Sequence, residues 1–179
     1  TDLERAETLV AQGVERAQFL DRAVQVYASA TAEADRAAAA VSAAMAAVNL
    51  TDEDATSPGG LATIGKAAEI AAEIGCGRFT QYILSFSDSR TWKENFRYHV
   101  EHFGPIAKVL GEHGCHLGLE FIGPKTLRVG HKHPFIHTMH PMLDLCEQVG
   151  PNCGLLLDSW HWYTSLGICE DILALPVSY

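Results

Sequence analysis

Two carboxylates stand at the ends of short apolar segments. Glu120 closes the run 117–120 (LGLE), and Asp158 closes the run 155–158 (LLLD). If both runs are parallel strands, their carboxyl ends meet at one sheet edge about 4.8 Å apart. One divalent cation bound there would offset the cost of burying both charges, whereas a single carboxylate could simply cap a helix or pair with an arginine. Oxygen ligands suit Mg2+ or Mn2+, and an added histidine would admit Zn2+ or Co2+.

An imidazole and several aromatic rings follow the second carboxylate. His161 lies in the segment 158–163 (DSWHWY). In the loop above a strand end, it could hydrogen-bond a substrate hydroxyl or transfer a proton. The flat faces of Trp160, Trp162 and Tyr163 could line a sugar pocket, although core packing is the commoner role of such clusters. We interpret His161 as a catalytic and substrate-binding residue and the two tryptophans as substrate-binding residues.

Basic residues follow the first carboxylate. Lys125 and Arg128 lie in the segment 123–128 (GPKTLR), whose glycine and proline predict a loop. They could bind a phosphate or carboxylate of the substrate, and the alternative is solvated surface charge. Four histidines come next, and no HExxH pattern accompanies them. We therefore interpret His131 and His133 as loop residues and predict no second metal site there.

Short apolar runs alternate with longer segments of helical period, which predicts βα units and a parallel sheet. Strands are predicted at residues 16–20, 46–50, 80–86, 115–121 and 154–158. Helices are predicted between them, at residues 32–44, 61–74, 92–113 and 134–149. These elements place both carboxylates at the carboxyl ends of successive strands.

Two architectures fit this alternation, an open doubly wound sheet and a closed barrel. An open sheet usually carries a glycine-rich phosphate loop after its first strand, and the sequence contains neither GxGxxG nor a P-loop. A (β/α)8 barrel needs eight strands, so about five βα units amount to part of one. We predict an α/β protein that is a partial (β/α)8 TIM barrel with parallel strands. It is predicted to form a single domain over residues 1–179 that is truncated at both ends.

Composition excludes several classes of protein. The net charge of −9 repels phosphate backbones, so nucleic acid is not an expected partner. No apolar stretch reaches the roughly 18 residues of a membrane span, so no membrane partner is expected. The five cysteines form no CxxC pair, which favours reduced thiols and a cytoplasmic location.

Three longer runs carry a resemblance to a known family. They are residues 118–128 (GLEFIGPKTLR), 134–138 (PFIHT) and 154–163 (GLLLDSWHWY). They resemble the sugar phosphate isomerases and epimerases of the xylose isomerase-like TIM barrel superfamily. The resemblance extends from about residue 62 to residue 175 and is thin before that.

The resemblance implies one divalent metal ion at the C-terminal face of an eight-stranded barrel. Its ligands would include Glu120 and Asp158 on the fifth and sixth strands, and His161 of a DxxH motif would contact the substrate. A histidine on the seventh strand and a glutamate on the eighth would complete the site, and this chain has no counterpart of either. The implied reaction is isomerisation or epimerisation of a sugar or sugar phosphate. It proceeds by proton transfer next to a carbonyl through an enediolate, with Glu120 as ligand and base.

Other functions fit the same residues. An inosose dehydratase-like lyase would use the same barrel, metal and side chains. An endonuclease IV-like DNA repair enzyme shares the barrel but needs a basic groove, which the charge of −9 opposes. A third alternative is a non-catalytic fragment that lacks the remaining metal ligands. Because an open sheet edge leaves backbone groups unpaired, we expect the isolated chain to be poorly soluble or to form homo-oligomers.

Overall fold

The computed structural model describes residues 52–175 and scattered positions between 18 and 32. The chain divides into two compact units, Thr1–Ala47 and Val48–Tyr179. In the first unit every described position is helical, including Gln18, so the strand predicted at 16–20 is wrong at that residue. The predicted strand at 46–50 lies outside the described residues, as does the predicted helix at 32–44 apart from Ala32.

The second unit is built on a parallel sheet with the strand order β1-β3-β5. These strands are β1 (Arg78–Ile83), β3 (His116–Phe121) and β5 (Cys153–Leu156). Two short strands, β2 (Phe86–Ser87) and β4 (His133–Pro134), form a separate antiparallel pair. The α/β class with parallel strands is therefore confirmed. The predicted strand at 80–86 is divided, because β1 ends at Ile83 and the chain then pairs elsewhere as β2.

Helices connect these strands. In chain order they are α1 (Asp52–Ala55), α2 (Pro58–Glu73), α3 (Trp92–Glu112), α4 (Met139–Val149), α5 (Ser159–Thr164) and α6 (Cys169–Leu173). The longest, α3, begins at a capping box in which Thr91 and Glu94 each bind the backbone of the other. It is followed by Gly114, whose φ of 70° suits a residue without a side chain. No helix in the described part is long and apolar enough to cross a membrane.

The start of α4 differs from the prediction. Residues 134–138 were predicted to open the helix, but Pro134 pairs with Phe86 and the amide of Phe135 donates to the carbonyl of Ser85 at 2.7 Å. These backbone groups are held by a distant segment of the chain and are not free for the first helical turn. The helix therefore begins only at Met139.

The two faces of the sheet differ in burial. Leu117, Leu119 and Phe121 of β3 are buried in a core that α3 and α4 cover. Because side chains alternate along a strand, Glu120 belongs to the opposite face. That face is more open, since Glu120 is half-buried and its β1 neighbour Tyr82 is 57% exposed. Glu120 therefore lies on the accessible face of the sheet, and the opposite face is covered by the core.

The cysteines are free thiols, as their spacing predicted. Cys115, Cys146 and Cys153 are buried, whereas Cys76 and Cys169 are exposed. Burial raises the pKa of the Cys115 thiol. A hydrogen bond to Cys153 and burial both raise the pKa of Cys146. Those two thiols are therefore protonated at neutral pH and are poor nucleophiles.

Candidate metal centre

The register of the sheet brings the two carboxylates to one edge. Glu120 pairs with Tyr82 on one side and with Leu156 on the other. Asp158 follows Leu156 by two residues, just beyond the last paired position of β5. Because the strands are parallel, both carboxylates lie at the carboxyl edge of the sheet, where ligand sites of parallel α/β proteins form. Both are half-buried.

Asp158 is held by the helix that follows it. It is the N-cap of α5, and its Oδ1 accepts hydrogen bonds from the backbone N–H groups of Trp160 at 2.8 Å and His161 at 3.0 Å. A carboxylate has a second oxygen, so this cap leaves Oδ2 for another partner. Asp158 therefore caps a helix, as a single carboxylate at a strand end could, and the two hydrogen bonds of the cap also orient its side chain.

His161 joins the two carboxylates in one cluster. One potential ligand atom from each of Glu120, Asp158 and His161 lies within 4.8 Å of the other two. All three side chains are half-buried. Among the described residues, the Nδ1 of His161 is buried without a hydrogen-bond partner, which is costly unless something binds there.

The donor set fits a divalent cation. Two carboxylate oxygens and one imidazole nitrogen are typical ligands of Zn2+, Co2+ or Mn2+. Ligand distances of about 2.1 Å keep donor atoms within about 4.2 Å of one another. The observed spread of 4.8 Å is therefore close to what one ion would hold.

The aromatic residues differ in their exposure. Trp160 is 61% exposed and Tyr163 is 70% exposed, so both have a free face for a ligand. Trp162 is half-buried and packs directly against Gly167, where its ring leaves no room for a side chain. Its Nε1 is buried without a partner among the described residues. Trp162 thus packs within the protein, whereas the Trp160 and Tyr163 side chains are exposed.

The two basic residues play different roles. Lys125 is exposed at the start of the 3-10 helix Lys125–Leu127. Arg128 is half-buried, and its Nη1 donates to the carbonyl of Gly123 at 2.8 Å. Neither forms an ion pair with Glu120 or Asp158 within the described part of the chain. Arg128 therefore holds its own loop, whereas the Lys125 ammonium group has no ion-pair partner among the residues that the structure describes.

Gly123 belongs to the site although its sequence context indicated only a loop. A β-carbon built on this buried glycine would overlap the carbonyl oxygen of His161 and lie 2.6 Å from the Oγ1 of Thr164. The loop after β3 thus touches the backbone of α5 directly. The pair Gly123-Pro124 was the signal available in the sequence, and it does not reveal which segment the glycine contacts.

The four histidines that follow β3 along the chain lie in different surroundings. His131 donates from Nδ1 to Asp88 at 2.8 Å, and its ring stacks on Phe86. The Lys132 backbone N–H and the His131 side chain hold the pKa of Asp88 below its usual value. His133, predicted to lie in a loop, is part of β4. For the remaining two, Nδ1 of His137 lies 2.7 Å from the Phe135 carbonyl, and His140 lies 3.9 Å from Asp171.

The fold and the cluster identify the class of this protein. The chain belongs to the xylose isomerase-like TIM barrel family, whose model matches residues 3–176. The resemblance to this superfamily is therefore confirmed, and the family includes sugar isomerases and epimerases. No curated protein matches the chain.

Two solved structures are similar to this chain. One is a xylose isomerase domain protein from Alicyclobacillus acidocaldarius subsp. acidocaldarius, at 27% identity and a TM-score of 0.61 over 72% of this chain. The other is the IolI protein with a bound zinc atom, at 18% identity and a TM-score of 0.51 over 64% of this chain. The matched regions span 47% and 39% of those two chains. This chain therefore covers about half of the first relative.

The capping role of Asp158 can be separated from any metal-binding role. Without metal, Asp158→Ala is expected to lower the free energy of unfolding by about 1 kcal/mol, because α5 loses its cap. Asp158→Asn should stay close to the wild type, since asparagine caps a helix as well as aspartate does. Urea denaturation of both variants measures the difference. Equal losses in the two variants would mean that the negative charge, and not the cap, stabilises α5.

Proposed function

We propose that this chain forms part of a divalent-metal-dependent isomerase or epimerase that acts on a sugar or sugar phosphate. The observation that carries the proposal is the convergence of one potential ligand atom from each of Glu120, Asp158 and His161 within 4.8 Å. Membership of a family that includes sugar isomerases and epimerases supports it. So does the zinc atom in the IolI protein, a fold neighbour.

Glu120 and Asp158 are the proposed metal ligands. A bound divalent ion would polarise the carbonyl and hydroxyl oxygens of the substrate and stabilise negative charge on them. Asp158 is oriented for metal binding because its Oδ1 accepts hydrogen bonds from two backbone N–H groups of α5. Glu120 lies at the end of a strand whose core side is fully packed, so its position is fixed by the sheet.

The proposed chemistry is a proton transfer next to a carbonyl. Glu120 takes the proton from the carbon beside the carbonyl, and the C–H electron pair becomes the C=C bond of an enediolate. Return of a proton to the neighbouring carbon completes an isomerisation, and return to the opposite face of the same carbon completes an epimerisation. His161 binds a substrate hydroxyl and moves its proton.

The substrate is proposed to lie over the exposed aromatic rings. Trp160, which is 61% exposed, offers a flat apolar face to the C–H side of a sugar. Trp162 is half-buried and packs against Gly167, so it is the weaker candidate for contact with substrate. Lys125 is the better candidate for a substrate phosphate, because Arg128 already donates to Gly123.

A thermal melt with Mn2+ tests the metal site. At about 100 times the dissociation constant, binding stabilises the native state by about 2.7 kcal/mol, which raises the Tm by roughly 5–10 °C for a chain of this size. The Glu120→Ala/Asp158→Ala double variant should show no rise. The Glu112→Ala/Asp144→Ala variant removes the same charges from exposed positions on α3 and α4 and should keep the rise.

Both outcomes of the melt are informative. A rise that is lost only in the first double variant supports one cation between these carboxylates. No rise in the wild type, or equal rises in all three proteins, contradicts a metal site formed by Glu120 and Asp158.

A further inference from the structure

The loop that follows β3, residues 122–128, closes on itself. The Lys125 carbonyl accepts a hydrogen bond from the Arg128 amide at 3.1 Å, at the end of the 3-10 turn. The Arg128 side chain then reaches back, and its Nη1 donates to the Gly123 carbonyl at 2.8 Å. A hydrogen bond from a charged guanidinium in a half-buried position is among the stronger ones in proteins.

The same glycine lies against α5, the helix that carries His161 and is capped by Asp158. Gly123 is buried, and it contacts the carbonyl of His161 and the Oγ1 of Thr164 so closely that no side chain would fit. Thr164 is itself fixed, since its hydroxyl donates to the Trp160 carbonyl at 2.7 Å. The contact therefore joins two rigid pieces of backbone.

We propose that Arg128 is a positioning residue for the metal site. By holding the Gly123 carbonyl, it fixes residues 122–128 against α5 and so sets the distance from Glu120 to Asp158 and His161. This inference rests on the proposed metal-binding function. It assigns Arg128 a role in metal affinity, whereas the sequence alone suggested contact with substrate.

The direction of the change in Mn2+ affinity separates a positioning role of Arg128 from an electrostatic one. A cationic side chain near a cation site repels the metal, so removing its charge alone would tighten binding. Loss of positioning has the opposite sign, since residues that orient ligands usually contribute 10–100-fold to metal affinity. Arg128→Met removes the donor while keeping much of the length of the side chain. We expect it to weaken Mn2+ binding by about tenfold.

Isothermal titration of the whole chain with Mn2+ measures this effect. Arg128→Lys keeps a cationic donor and should recover part of the affinity. Arg78→Met is the matched control, because Arg78 is exposed at the start of β1, at the other end of the sheet from Glu120. It should bind Mn2+ as the wild type does.

Amide hydrogen exchange in the absence of metal tests independently whether the hydrogen bond from Arg128 to Gly123 fixes α5. Arg128→Met should speed amide exchange in α5 (Ser159–Thr164), and Arg78→Met should not. If the wild type binds no Mn2+, the proposed function fails, and the exchange result still decides whether Arg128 fixes α5. Unchanged exchange in Arg128→Met overturns the inference. So does tighter Mn2+ binding, or a loss confined to the affinity for inorganic phosphate.

Discussion

Glu120→Gln is expected to lower the rate of proton exchange next to the substrate carbonyl by about 10²–10⁴-fold, the usual contribution of a positioned general base. Glutamine keeps the shape of the side chain but has no carboxylate to take the proton. The metal-free variant should stay folded, because Glu120 lies on the open face of the sheet and the core of β3 is formed by other residues. Incorporation of deuterium from D2O into a panel of aldose and ketose phosphates, with saturating Mn2+, measures the rate.

The control for that experiment is Glu112→Gln. Glu112 is an exposed glutamate at the end of α3, so its loss should leave both exchange and stability unchanged. Near-normal exchange in Glu120→Gln would remove Glu120 from the role of base. Absence of exchange by the wild type with every sugar in the panel would contradict catalysis by this chain, whatever its affinity for Mn2+.

Local signals were sufficient to predict the elements that position Glu120. The sequence predicts a helix at 92–113, and the structure has α3 at Trp92–Glu112. Its start is fixed by the Thr91–Glu94 capping box and its end by Gly114, all of which lie within a few residues of the boundaries. The strand at 115–121 was equally close, because β3 is His116–Phe121. Such boundaries depend on neighbouring residues and are visible without any tertiary contact.

The meeting of the carboxylates was also predictable, since parallel strands carry their carboxyl ends to one edge. The side chains and backbone groups that contact each carboxylate were harder to predict from the sequence. Asp158 caps α5 and also lies close to Glu120. This arrangement depends on the turn between β5 and α5, and the residue types alone do not specify the geometry of that turn. His161 was predicted to contact the substrate. The structure also makes it a third potential ligand, because one of its ring nitrogens lies within 4.8 Å of both carboxylates.

The errors arose where distant segments compete for the backbone. Pro134 and Phe135 were predicted to lie in the first turn of α4, but their backbone groups pair with Phe86 and Ser85, about fifty positions earlier in the chain. Periodicity describes which face of a helix is apolar, and it contains no information about such pairing. The hydrogen bond from Arg128 to Gly123 could not be predicted for the same reason, because the residue types do not indicate which backbone carbonyl a side chain will reach.

Gly123→Ala is expected to disrupt the site more than any other single-methyl addition to the loop. The new β-carbon would overlap the His161 carbonyl, and neither backbone segment can yield without moving α5 or the end of β3. Overpacking of this kind costs about 1–3 kcal/mol. We expect a loss of that size in the free energy of unfolding and loss of the Mn2+-dependent rise in Tm, measured by urea denaturation and by thermal melts.

Gly118→Ala is the matched control, because it adds the same methyl group to β3, the strand that leads into the loop of Gly123. Its β-carbon would lie 3.4 Å from the Thr80 Cγ2 and 3.5 Å from the Leu156 Cβ, which are ordinary van der Waals distances. A glycine replaced by alanine in such a position also restricts the unfolded chain, so stability should be kept or slightly raised. If Gly123→Ala were as stable and as responsive to Mn2+ as Gly118→Ala, the contact between the β3 loop and α5 would not set the geometry of the site. Arg128 could then not influence the metal site through Gly123, and the positioning role proposed for Arg128 would fail together with that of the glycine.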